Sequence, residues 1–149
     1  MTLSFKEDHI SQIPALMMLE KVGYTYLTPA EAMELRGGNA SNVLLEPILR
    51  EQLAKINTVQ VSSQRTTVFS EQNITAGIEA LKNLPMAEGY MTASQVAYDL
   101  LTAGKTLEQI VDGDKKSYVM QYIDWKHIEN NAFHVTEEFA VSRTGMSDT

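Results

Sequence analysis

The sequence predicts an α+β fold in which a helical N-terminal block is followed by an antiparallel strand pair. Three observations carry this. Apolar residues recur at helical spacing up to about residue 104, beginning with Ile10, Ile13, Leu16, Met17 and Leu19. Proline, glycine and capping residues punctuate those runs where helices should start and stop. After residue 117 the pattern turns to β-branched and aromatic residues, with Phe133, Val135, Phe139 and Val141 on one face at period two. At 149 residues the chain has the length of one domain, so 1–149 is read as a single unit. Its helical block is placed at about 1–104 and its strand pair at about 117–142.

The first helix is predicted from Lys6 to Val22, with a kink or restart at Pro14, which cannot donate to the preceding turn. Gly23 stops it, and Tyr24–Leu27 is a brief extended segment. Thr28-Pro29-Ala30-Glu31 combines a cap, a proline at the first helical position and a glutamate placed to close a capping box. Arg36-Gly37-Gly38-Asn39 ends that short helix. Ser41 or Asn42 is expected to cap the next, whose apolar face is Val43, Leu44, Ile48, Leu49, Leu53 and Ile56. Thr58–Phe69 predicts a hairpin turning at Ser62-Ser63-Gln64. Ser70 caps a helix to Leu84 with Ile74, Ile78 and Leu81 inward, and Pro85 ends it. Thr92-Ala93-Ser94-Gln95 reads as a second capping box, opening a helix through Val96, Leu100 and Leu101 to Gly104. Tyr118–Trp125 and Phe133–Val141 are the expected strands, joined by a turn at 126–131. The polar stretch from Arg143 onward is expected to fray.

Composition narrows the function classes. Twelve Lys and Arg against 19 Asp and Glu give a net charge of −7, the wrong sign for a module that grips DNA unaided. There is no cysteine, which excludes disulfides, zinc-thiolate sites and cysteine nucleophiles. The start shows no secretory pattern and no apolar run approaches the ~20 residues of a membrane span. The expectation is a cytoplasmic protein without a membrane partner.

Candidate chemistry is sparse. Gly104-Lys105-Thr106 has the letters of a phosphate-loop tail, but Asp99 stands where the first glycine belongs, so a helix C-cap is the better reading. His9, His127 and His134 lack ligand spacing. Glu137 falls by parity among the apolar residues of its strand, so it must be paired, hydrogen-bonded, near an edge or functional, and a structural pair or a bulge that swings it out is the favoured reading. Trp125 is expected to pack over the strand turn. Glu7 and Asp8 suit a first helical turn by dipole alone.

Three stretches add a resemblance. Phe5-Lys6-Glu7-Asp8-His9-Ile10 with Leu19–Leu27 resembles the opening of the restriction (R) subunit of type I restriction-modification enzymes. Leu35-Arg36-Gly37-Gly38, Ser41–Glu46 and Leu49–Asn57 are similar to the helix that follows in that family. Leu100–Lys105, Asp112–Tyr118, Tyr122–Trp125 and Asn130–Phe139 are similar to the segment leading into its nuclease core. The match is collinear from about Met1 to Val141.

The resemblance implies a restriction-endonuclease-like nuclease domain of the Pro-Asp…(Asp/Glu)-x-Lys type, here incomplete. In the intact family enzyme, ATP-driven helicase-like domains translocate double-stranded DNA, and the R subunit joins methylation and specificity subunits. Magnesium is held by the aspartate and the acid of Glu-x-Lys, and it makes a hydroxide-like nucleophile available near neutral pH. The one family residue that carries over is the first-helix acid, Glu7, with Asp8 as its substitute. It is expected to face the strand pair. The Pro-Asp and Glu-x-Lys stretch follows the position of Ser142 in relatives. This chain runs instead through Arg143 to Thr149, and Asp148 is not taken as the metal aspartate. The expectation is therefore a fragment or natural truncation that is inactive alone and binds neither magnesium nor ATP itself. The alternative is a non-catalytic module whose helical block, Thr28 to Gly104, docks on the methylation and specificity subunits. An acidic DNA mimic is disfavoured because the charges are mixed along the chain.

Overall fold

The computed structural model describes residues 7–143, with side chains from Gln12 onward. In chain order the described elements are α1 (Glu7–Lys21), β1 (Thr25–Tyr26), α2 (Pro29–Leu35), α3 (Glu46–Ile56), β2 (Val59–Ser62), β3 (Arg65–Thr67), α4 (Glu71–Lys82), α5 (Tyr90–Ala103), β4 (Lys105–Val111), β5 (Asp114–Met120) and β6 (His134–Val135). The α+β class is as predicted. The chain divides into two units, one made of its two ends (Met1–Leu45 with Ala132–Thr149) and one of Glu46–Asn131.

In the unit of the chain ends, α1 continues through Pro14, so the predicted restart does not occur. Its predicted apolar stripe is only partly used: Leu16 and Leu19 are half-buried, whereas Ile13 and Met17 are exposed. The capping box is complete, because Thr28 Oγ1 accepts from the Glu31 amide while Glu31 Oε2 accepts from the Thr28 amide. β1 pairs with β6 in parallel, Thr25 opposite His134 and Tyr26 opposite Val135.

The central unit holds the apolar core. Leu53 of α3, Ile74 and Ile78 of α4, Val59 of β2, Phe69, Met120 of β5 and Tyr122 are buried together, with Leu49, Leu81, Leu100 and Leu107 packed against them. α3 begins at Glu46, so Ser41 and Asn42 do not cap it, and Val43 lies outside it and exposed. Asn42 instead accepts the Leu44 amide on its own side chain, a local turn that competes with helix initiation. β2 and β3 form the predicted hairpin. Ser70 caps α4 through the Asn73 amide, as expected. α5 starts two residues before Thr92 on a Gly89 cap, so the second capping box is not formed.

The predicted antiparallel pair of Tyr118–Trp125 and Phe133–Val141 is also not formed. β5 pairs with β4 across a two-residue turn at Asp112 and Gly113, both with positive φ (53° and 83°), the geometry that suits a tight hairpin. β5 stops at Met120 because the next backbone groups are taken by a side chain. The Gln121 amide donates to Asn57 Oδ1, and Asn57 Nδ2 donates to the Gln121 carbonyl. Past Val135 the second predicted strand is irregular, and Glu138 at φ 50° breaks the period-two alternation.

Candidate functional site

The two-residue ladder of β1 and β6 brings side chains from opposite ends of the sequence together. Tyr26 donates its hydroxyl to Glu137 Oε1 at 2.9 Å, in a part-buried setting. That bond, then desolvation and the charges of Glu137, Glu31 and Glu20, raises the Tyr26 phenol above its ordinary value. The pair lines a cavity of about 210 Å³ with Ile13, Leu16, Met17 and Glu20 of α1. So Glu137 is hydrogen-bonded, the structural outcome that its odd position in the pattern required.

Arg36, at the end of α2, is 2% exposed. Its Nε donates to the Asn42 carbonyl at 2.5 Å, its Nη2 to Ala40 at 2.6 Å and its Nη1 to Ala140 at 2.8 Å. The guanidinium carbon lies 4.0 Å from the centre of the Phe139 ring. None of the ion pairs among the described residues includes it. In the sequence Arg36 belongs to a helix stop and to one of the stretches that resemble the R-subunit family. A lone arginine before Gly37-Gly38 carries no signal of its remote acceptor, Ala140.

In the central unit, Asp124 organises the loop after Tyr122. Its carboxylate accepts from the Asn130 side chain and from the His127 and Lys126 amides. The Asn130 bond, followed by the His127 amide, holds it below the usual carboxylate range. The Asp-x-Lys letters at Asp124-Trp125-Lys126 therefore mark a carboxylate already committed to its own turn. Trp125 packs over no strand turn. It is 55% exposed, and its indole N–H donates to the Leu101 carbonyl at 3.0 Å. It walls a cavity of about 370 Å³ with Ile56, Thr102, Gln121, Ile123 and Lys126.

Glu7 is the first residue of α1, but its side chain and those of Asp8 and His9 lie outside the described residues, as do residues 144–149 with Asp148. The strand pair that Glu7 was to face does not exist as such, since β5 pairs with β4 and β6 with β1. His127 is exposed with Nδ1 3.8 Å from Glu129, and His134 is half-buried on β6. Gly104 caps α5 by donating its amide to the Leu100 carbonyl, as the helix C-cap reading of Gly104-Lys105-Thr106 expected. Among the described residues no three His, Asp or Glu side chains group as metal ligands. That part of the chain does not assemble a magnesium set.

Fold and site together define an α+β chain whose described polar clusters are structural ties. The sequence matches the family of the type I restriction enzyme R protein N terminus over residues 4–148. The chain belongs to that family. No curated protein and no solved structure gives a significant match. No described helix is long and apolar enough to cross a membrane.

Proposed function

We propose that this chain is the N-terminal part of an R subunit whose intact form is an ATP- and magnesium-dependent DNA endonuclease and translocase acting against foreign DNA in the cytoplasm. Its partners in that assembly are the methylation and specificity subunits, and double-stranded DNA reaches it through the full-length protein. The observation that carries this reading is the family match across residues 4–148. By itself the chain is inactive in this reading, for its 149 residues contain no Pro-Asp pair and no Glu-x-Lys. Magnesium and ATP belong to the longer enzyme, and Glu7 is the one residue here proposed to reach its catalytic centre. Supercoiled plasmid incubated with the chain, magnesium and ATP should stay intact, and reproducible nicking overturns the inactive reading. The DNA after the codon for Thr149 should continue in frame into Pro-Asp and Glu-x-Lys. An immediate stop codon overturns the longer enzyme.

One observation favours a second reading, a non-catalytic docking module. On α5, Tyr90, Met91 and Tyr98 are 65%, 89% and 64% exposed around one shallow depression. Exposed aromatic and methionine side chains of this kind are typical of contact surfaces. This reading expects the isolated chain to bind the methylation and specificity subunits, with Met91→Glu abolishing the binding. No binding by the unaltered chain removes it.

A further inference from the structure

Among the described residues, Arg36 is a buried cation compensated without a carboxylate. Three backbone carbonyls and one aromatic face take that role, and the acceptors come from two segments far apart in sequence. Ala40 and Asn42 belong to the loop after α2, whereas Ala140 is 104 residues from Arg36. The ring under the guanidinium, Phe139, belongs to the same distant segment. The Ser142 amide then donates to the Ala40 carbonyl at 3.0 Å, so the two segments are tied again one step further on. Residues 136–142 have no strand ladder to fix their path. Charge-assisted bonds of fixed direction therefore do what a sheet would otherwise do.

We propose that Arg36 is a positioning residue: its guanidinium sets the path of residues 139–142 and hence the orientation in which the chain presents whatever follows Ser142. The planar fork is essential to this. A lysine at the same position keeps the charge but offers one nitrogen, which cannot meet three carbonyls and stack on a ring at once. Resting on the function proposed above, the stretch so oriented is the one that carries the metal-binding residues in the longer enzyme.

The absence of cysteine allows a clean test on the chain as it stands. Spin labels at Glu34→Cys on α2 and Val141→Cys, both exposed positions, report the distance across the clamp. With Arg36 present the distance distribution should be narrow. Arg36→Lys should broaden it and speed exchange of the Ser142 amide about tenfold or more, while the fluorescence of Trp125 stays unchanged. An arginine that merely stabilised the fold would lower the melting temperature and leave the distribution narrow below the transition, and that result overturns the proposal. Should Arg36→Lys fail to fold, Arg36→Gln, which removes the fork without burying an ammonium, decides. Broadening sustains the proposal and an unchanged distribution ends it. Neither readout needs DNA cleavage, so a failed nuclease reading and a failed clamp are told apart.

Discussion

The two units of this chain are held together by different physics. The central unit closes over apolar side chains, with Leu53, Ile74, Ile78 and Met120 at 0–2% exposure. In the unit of the chain ends, the described residues that are fully buried are Ala32 and Arg36, and beside the Tyr24–Phe133 ring contact the described long-range ties are hydrogen bonds: a two-residue ladder, Tyr26 on Glu137, and Arg36 on the Ala140 carbonyl. Apolar burial is non-directional and follows from a sequence pattern. Hydrogen-bonded closure is directional and depends on where remote backbone arrives.

Truncation gives the largest expected contrast. Leu53→Ala should cost about 2–5 kcal/mol in urea denaturation followed by Trp125 fluorescence, since a large void opens in a packed core. Leu16→Ala, at a half-buried position of α1, should cost only about 1 kcal/mol, because less apolar surface is lost. Equal costs would break the comparison. Gly104→Ala comes next. Its φ of 82° and the Met120 carbonyl directly against a new Cβ combine strain with a clash, worth roughly 1–3 kcal/mol.

Alkaline unfolding sharpens the comparison from another side. Burial pushes the Tyr122 phenol up to about 12 from its ordinary 10.0, and its hydroxyl donates to the Gly77 carbonyl at 2.5 Å. Between those two values the native state keeps a proton that the unfolded chain has released. The contribution is thus intact below pH 10 and is lost as pH rises through 12. Tyr122→Phe should remove that part of the pH slope at a cost of about 1 kcal/mol near neutrality, measured by urea titrations across the range.

The smallest effect should be the same in both units. Thr28→Ala and Ser70→Ala each remove a cap with one helix-terminal amide bound to it, and each should cost about 1 kcal/mol in thermal unfolding. A much larger loss for Thr28 would show that the unit of the chain ends depends more on its local bonds.

Legibility follows the same divide. The caps at Thr28 and Ser70, the hairpin around Ser63 and Gln64, and the inward face of Ile74, Ile78 and Leu81 all lie within short windows of sequence, and the structure has them. The hairpin of β4 and β5 was legible too, for Asp112-Gly113 between alternating residues is a strong hairpin signal. The aromatic and β-branched pattern of Phe133–Val141 offers Tyr118–Trp125 a competing partner, and β4 is the one it takes. For the candidate site, Glu137 was flagged by parity as needing a partner, but nothing in the sequence named Tyr26. Arg36 and Asn57 carried no local signal at all.

By itself the sequence determined what spacing can encode: helix faces, caps that bond three residues away, tight turns, and membership of the R-subunit family. Tertiary structure alone decided which strand pairs with which, where β5 ends on Asn57, and that a guanidinium closes the unit of the chain ends. The reason is physical. A bond to a neighbour three or four residues on is fixed by local geometry. The bonds of Tyr26 to Glu137 and of Arg36 to Ala140 span more than 100 residues and form only once packing has brought their backbones together.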